Sequence, residues 1–144
     1  MLKLSKRVEY ALLAVQEMAI RPEQKISASE IAERYSISQS LVAKVLQQLS
    51  RDGVTRSYAG VNGGYMLDRA PERITIAQII QTIEGSPASI IECQNSDHHD
   101  CSAHSTCTIR EPLTILQERI QATFASMTVA ELASLRTFVQ LEVS

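Results

Sequence analysis

Apolar residues recur at helical spacing from the start of the chain. Val8, Leu12, Val15 and Ala19 follow Ser5 at intervals of three or four, and Pro22 closes the run, so residues 6–20 read as an amphipathic helix. Ser27 with Glu30 three residues later has the form of a capping box, which predicts a short helix over about 28–35. Ser36-Ile37-Ser38 interrupts that helix, and Ser38 is placed to cap a third, whose apolar positions Leu41, Val42, Val45, Leu46 and Leu49 form one stripe up to Gly53. The opposite face carries Gln39, Ser40, Ala43, Lys44, Gln47 and Gln48. Two short helices joined by a tight turn, the second with a polar face that can both donate and accept hydrogen bonds, is the pattern of helix-turn-helix DNA readers.

The period then changes. Val54 to Tyr58 and Tyr65 to Leu67 are β-prone runs around Ala59-Gly60-Val61-Asn62-Gly63-Gly64, a glycine-rich turn with an Asn-Gly pair. A hairpin directly behind the second reading helix makes a winged helix, with Arg56 and Tyr58 on its first strand and small residues at its tip. Thr75 with Gln78 starts a further helix in which Ile76, Ile79, Ile80 and Ile83 share a face, ending at Gly85. Residues 86–108 are poor in apolar residues after Ile91. From Ile109 the helical signal returns as Leu113, Leu116, Ile120, Phe124 and Met127, and Thr128 with Glu131 caps a last helix carrying Val129, Leu132, Leu135 and Val139. An apolar stripe of this length needs a partner surface. A symmetric dimer through the last helix is the simplest way to bury it, and would present two reading helices to a two-fold DNA site.

The fold expected is therefore mainly α with a small β-hairpin: a winged helix-turn-helix unit over residues 1–85, a cysteine-containing loop over 86–108 and dimerisation helices over 109–144. At 144 residues, 44% of them hydrophobic, the chain is long enough for one ordinary core, aliphatic because Trp is absent. A net charge of −2 argues by itself against a nucleic-acid partner. The charge is uneven, however: residues 1–70 carry ten Lys/Arg against seven Asp/Glu, and residues 71–144 carry four against nine. The first half can meet a polyanion. The N-terminus has no apolar run of signal or membrane length, so the protein is expected in the cytoplasm, without a membrane partner.

All three cysteines, Cys93, Cys101 and Cys107, fall within 15 residues, together with His98, His99 and His104. A structural disulfide would strand one thiol, and a polar loop is a poor place for buried cysteines, so a metal centre is the expected role. Three thiolates are one short of a closed tetrahedral zinc site or a fully ligated iron–sulfur cluster, and a histidine or an oxygen ligand can fill the gap. Spacing does not choose between them. No nucleophile or acid–base pair is visible, and an enzyme is not expected.

MLKLSKRVEYALLAV, ISQSLVAKVLQQLSRDG, the wing GVNGGYML, the helix TIAQIIQTIEG and the three-cysteine loop, in that order, resemble the Rrf family of winged-helix regulators of the IscR and NsrR type, over residues 1 to about 139. The resemblance implies a homodimeric transcription regulator, expected to act as a repressor, that binds a palindromic promoter site. It also implies one iron–sulfur cluster per subunit, 2Fe-2S or 4Fe-4S, sensing redox state, nitric oxide or iron–sulfur status. Cys93, Cys101 and Cys107 match the cluster cysteines. Ser38, Gln39, Ser40, Ala43 and Lys44 match the base-reading turn, and Arg56 through Gly64, with Tyr58, Gly60 and Asn62, match the wing.

The chain departs from the family pattern at four places. Seven residues, where five are common, separate the first two cysteines. Arg110 stands where IscR-like members have a ligating histidine; other members use an acid of the partner's first helix, and Glu9 matches that position, which favours Glu9 of the partner subunit over His104 as fourth ligand. The wing has Ala59-Gly60 in place of Arg-Gly, leaving Arg56 as the nearest arginine for a minor groove, and Ala43 with Lys44 replaces an acid and an amide, which implies a different operator. The alternative to a cluster is a zinc-stabilised or thiol-redox regulator of the same fold.

Overall fold

The computed structural model describes residues 3–91, 101–103 and 105–143, with side chains as far as 136. The elements run α1 (Lys6–Ile20), α2 (Ala28–Tyr35), α3 (Gln39–Arg51), β1 (Thr55–Tyr58), β2 (Gly64–Leu67), α4 (Ile76–Glu84), α5 (Arg110–Ser126) and α6 (Val129–Val143). A single 3₁₀ turn, Pro71–Arg73, precedes α4. No helix among the described residues is long and apolar enough to cross a membrane.

Each early helix starts where a hydroxyl can take an orphan amide of its first turn. Ser5 Oγ accepts from Val8 N–H at 3.2 Å, Ser27 Oγ from Glu30 N–H at 3.1 Å and Ser38 Oγ from Leu41 N–H at 3.3 Å. At Thr75 both halves of the capping box form, the Gln78 carboxamide returning to the Thr75 amide at 3.0 Å. At Ser27 only the hydroxyl half forms, because the Glu30 carboxylate is taken by Arg21 at 2.6 Å. α2 ends on Ser36, whose φ of 53° is left-handed, and Ile37 N–H closes the turn onto the Ala32 carbonyl at 3.0 Å.

The stripes expected from the sequence meet in one core. Val8, Val15 and Met18 of α1, Ile31 of α2 and Val42, Val45, Leu46 and Leu49 of α3 are fully buried, and Ile76, Ile79 and Ile83 of α4 close it from the other side. Burial of a side chain of this size stabilises by about 1.5–3 kcal/mol, so the inner face of α3 fixes which way its polar face points. β1 and β2 pair antiparallel, Thr55 opposite Leu67 and Tyr58 opposite Gly64. The hairpin is tied into the α1–α2 loop: Ile26 N–H donates to the Tyr65 carbonyl at 3.0 Å and Tyr65 N–H to the Ile26 carbonyl at 2.8 Å. A Cβ on Gly64 would stand 3.0 Å from the Ile26 backbone, which is why glycine occupies that position.

The start of the last helix packs on its own chain. α6 is drawn back onto its own chain by Ile76 N–H to Met127 O at 2.9 Å and Val129 N–H to Ile74 O at 2.8 Å, and Gln16 of α1 donates to the Leu132 carbonyl at 2.9 Å. Val129 is therefore buried and Leu132 packs on the core, while Leu135 is 46% exposed. The side chain of Val139 lies outside the described residues. On α5, Ile115 and Leu116 are exposed, as is Ile109 at its N-cap, and the only buried residue of the helix is Gln117.

Candidate functional site

α2, the turn at Ser36 and α3 form a helix-turn-helix, and the exposed face of α3 holds Ser38, Gln39, Ser40 and Lys44. Ser38 is committed to the helix cap, and its hydroxyl lies 3.1 Å from that of Ser40, so the first turn presents a preformed polar edge. Ala43 is half-buried and Gln47 exposed beside Lys44. Gln48 is not part of this face: its carboxamide donates to the Thr82 carbonyl at 2.7 Å and joins α3 to α4.

The hairpin stands beside α3 as a wing. Gly60, Val61 and Asn62 are exposed at its tip, and Gly63 N–H closes the turn on the Gly60 carbonyl at 3.0 Å. A Cβ on Gly63 would meet the Tyr58 carbonyl oxygen at 2.2 Å, so the turn is closed to any other residue. Tyr58 lies under Lys25, whose Nζ is 4.6 Å from the ring centroid, a cation–π contact that brings a charge from the α1–α2 loop to the wing. Arg56 is at the base of the wing, opposite Met66 in register, and pairs with Asp68 at 2.8 Å. It is exposed, yet tethered away from the tip where the sequence comparison had an arginine to replace. Between α3 and β1 a groove of about 290 Å³ is lined by Gln47, Ser50, Arg51, Ser57 and Tyr65. Arg51 and Ser57 were not singled out from the sequence; Arg51 sits one turn beyond Gln47 on the same helix face, a periodicity that could have found it.

Of the cysteine segment, Cys101 is exposed and Cys107 half-buried, both free thiols. Cys93, His98, His99 and His104 lie outside the described residues. Both ends of the segment are fixed to α5. The Gln117 side-chain oxygen accepts from Ser89 Oγ at 2.8 Å, Ile90 N–H at 2.9 Å and Ile91 N–H at 3.3 Å, and Gln121 donates to the Ala88 carbonyl at 2.8 Å. At the other end Cys107 stands just before α5, whose N-cap residue Ile109 gives no side-chain cap. Among the described residues no three His, Cys, Asp or Glu side chains come together as a metal site. Glu9, half-buried on α1, is paired with Lys6 at 2.8 Å, and this contact raises the pKa of the Lys6 ammonium. The donors fit an iron–sulfur cluster in kind, soft thiols with one carboxylate; among the described residues, Cys101, Cys107 and Glu9 are not gathered into one group.

The sequence reading missed a second constellation. Glu17, 1% exposed, lies between three arginines: Arg21 at 3.1 Å, Arg34 at 3.3 Å, and Arg136 of α6, which donates to it directly. The Tyr35 hydroxyl also donates to Glu17. Burial pushes the Glu17 carboxyl up, but the Tyr35 and Arg136 hydrogen bonds and the charges of Arg136 and Arg34 outweigh it, so it is held below its ordinary value. Burial and the neighbouring carboxylate push the Tyr35 phenol up. The available signal was an acid inside the run Ala14-Val15-Gln16-Glu17-Met18.

Comparison with known proteins gives one consistent picture. A family model described as Rrf2, iron-dependent transcriptional regulator, matches residues 4–134. An HTH-type transcriptional regulator named BadM, from Rhodopseudomonas palustris, is 31% identical over 91% of this chain and 81% of its own length. Among solved structures, CymR (YrzC), the global cysteine regulator of B. subtilis, superposes with a TM-score of 0.75 at 28% identity, covering 94% of this chain and 98% of that one. T. potens IscR superposes with a TM-score of 0.70 at 25% identity, covering 92% and 87%.

Proposed function

Because this chain belongs to the Rrf2 family of transcriptional regulators, we propose that it is a cytoplasmic homodimer, acting as a repressor, whose affinity for a palindromic promoter site is set by an iron–sulfur cluster held in its cysteine segment. The observation that carries the reading is the attachment of that segment at both ends to α5, a helix that also leaves Ile115 and Leu116 uncovered. One helix thus receives the sensor and offers the surface a second subunit would cover.

The division of labour follows the chain. Residues 1–85 read DNA, 86–108 sense, and 109–144 join the subunits. Ser38, Gln39, Ser40 and Lys44 enter the major groove, where hydroxyls, carboxamides and an ammonium match base edges, while Tyr58, Gly60 and Asn62 lay the wing on the adjacent backbone. Arg56, held by Asp68, meets phosphate at the wing's base instead of entering the minor groove. Ile109 and Leu116, and Leu135 on α6, supply apolar surface for the partner.

Cys93, Cys101 and Cys107, with Glu9 of the partner subunit, would hold the cluster; when bound it supplies a redox-active centre. The chain's own part is mechanical. Gln117 and Gln121 convert any displacement of the segment's start into a displacement of α5, and α5 is continuous through Met127 with the bridges that hold α4 and α6. A change in the segment therefore moves the two recognition helices relative to each other, and the DNA-competent population shifts.

A second reading is favoured by the exposed free thiol of Cys101 and the half-buried one of Cys107, and by the likeness to CymR: a thiol-redox or zinc-stabilised regulator without a cluster. Anaerobic purification with iron, zinc and acid-labile sulfide analysis separates them. The cluster reading predicts a coloured protein with equimolar iron and sulfide; a colourless protein with zinc, or with neither metal, rejects it.

A further inference from the structure

Glu17 holds the largest concentration of charge among the described side chains. Its position explains why. Arg34 and Tyr35 are the last two α2 positions before the left-handed turn at Ser36, and Ser38, two residues on, caps the recognition helix. Glu17 therefore grips the helix-turn-helix at its turn. On its other side it accepts from Arg136, which is 16% exposed and belongs to α6, in the half of the chain that carries the subunit-facing surface. One carboxylate joins three elements that come from residues as far as 119 positions apart.

Apolar packing alone would hold α6 on α1 with little preference among small slides along the helix axes. A buried carboxylate with fixed donors on both sides is different, because any slide leaves a buried charge unpaired, which is far more costly than a displaced methyl group. We propose that Glu17 is a positioning residue: through Tyr35 and Arg34 on one side and Arg136 on the other, it locks the recognition helix to the dimer half of the chain and so sets the spacing between the two half-sites the dimer accepts. The inference rests on the dimeric DNA-binding reading above, and concerns the ruler between half-sites, not the contacts within one.

The test uses the full-length protein and a palindrome selected by the wild type from a pool of random duplexes, with versions of that palindrome lengthened or shortened by one base pair between half-sites. Arg136→Gln removes the link to α6 at a partly exposed position, and Tyr35→Phe removes one donor on the α2 side without changing volume. For Arg136→Gln the preference for native over altered spacing should fall about tenfold, since half-site separation is a geometric constraint that a loosened ruler no longer enforces. For Tyr35→Phe the loss should be about threefold, a single hydrogen bond to a charged group among several. Arg136→Lys, which keeps a cation against Glu17, should recover most of the preference.

A folded, dimeric Arg136→Gln protein whose spacing preference is unchanged overturns the inference, as does an equal loss of affinity for every spacing, the signature of simple destabilisation. If Arg136→Gln does not fold, an unchanged preference in Tyr35→Phe overturns it equally. A wild type that selects no palindrome fails earlier and takes the dimeric regulator reading with it.

Discussion

α3 and α5 are both amphipathic helices of ordinary length, 13 and 17 residues, and they solve the problem of an apolar face in opposite ways. α3 opens on a serine cap and buries Val42, Val45, Leu46 and Leu49, so its polar face is fixed outward within one chain. α5 opens on Ile109 with no side-chain cap, buries only Gln117, and leaves Ile109, Ile115 and Leu116 in solvent. The first is a finished reading head. The second leaves an apolar side that, in the proposed dimer, a second subunit would cover. The proposed regulator uses both kinds: an edge that does not change shape, and a joint that does.

The comparison breaks most severely if α5 is not the joint. Leu116→Glu should leave the winged half folded but turn the dimer into a monomer by sedimentation, and weaken binding to a palindrome about a hundredfold or more as the second half-site contact is lost. A dimer that survives the substitution would place the joint elsewhere.

Next in size is the lock between the two halves. Glu17→Gln should destabilise the chain by about 2–3 kcal/mol, less than for a fully buried pair because Arg21, Arg34 and Arg136 all reach solvent. The loss should depend on pH. The folded-state carboxyl lies below the ordinary value of 4.5, held there by Tyr35, Arg136 and Arg34 against its burial, so its contribution is whole above that value and disappears as pH falls through the lower, folded one. Denaturant melts of wild type and Glu17→Gln should therefore differ at pH 7 and converge in acid; a constant difference would mean lost packing and not lost charge.

Smaller effects sharpen the reading head itself. Gln39→Ala should relax sequence preference at one base position by about 1–3 kcal/mol, and Lys44→Ala should lower the slope of log affinity against log salt by about one if it neutralises a phosphate. Selection from random duplexes and a salt titration check the two. Ser38→Ala should cost about 1 kcal/mol of stability through the lost cap, the smallest change of the set, read by thermal unfolding.

The reading half was legible because its signals are local. Ser5, Ser27, Ser38 and Thr75 each announce a helix within three residues, and the stripe on α3 declares its buried face without help from the rest of the chain. What escaped depends on residues distant in sequence. Glu30 fits a capping box on paper, but Arg21 competes for its carboxylate; Arg56 looks free until Asp68 arrives across the hairpin; the apolar face of α6 looks unpartnered until α1 takes part of it. The Glu17 cluster is the extreme case, since Arg136 is nowhere near it in the sequence. At the cysteine segment the thiols identified a chemistry, and of them Cys101 is an exposed free thiol and Cys107, just before α5, a half-buried one.

The most direct test is to measure affinity for the selected palindrome on one anaerobic preparation, before and after its metal is removed by chelation, with dimer content monitored in both. The account predicts an intact dimer in both states and an affinity change of about tenfold or more, the usual size of a coupling free energy between two sites. Equal affinity in the two states would contradict it.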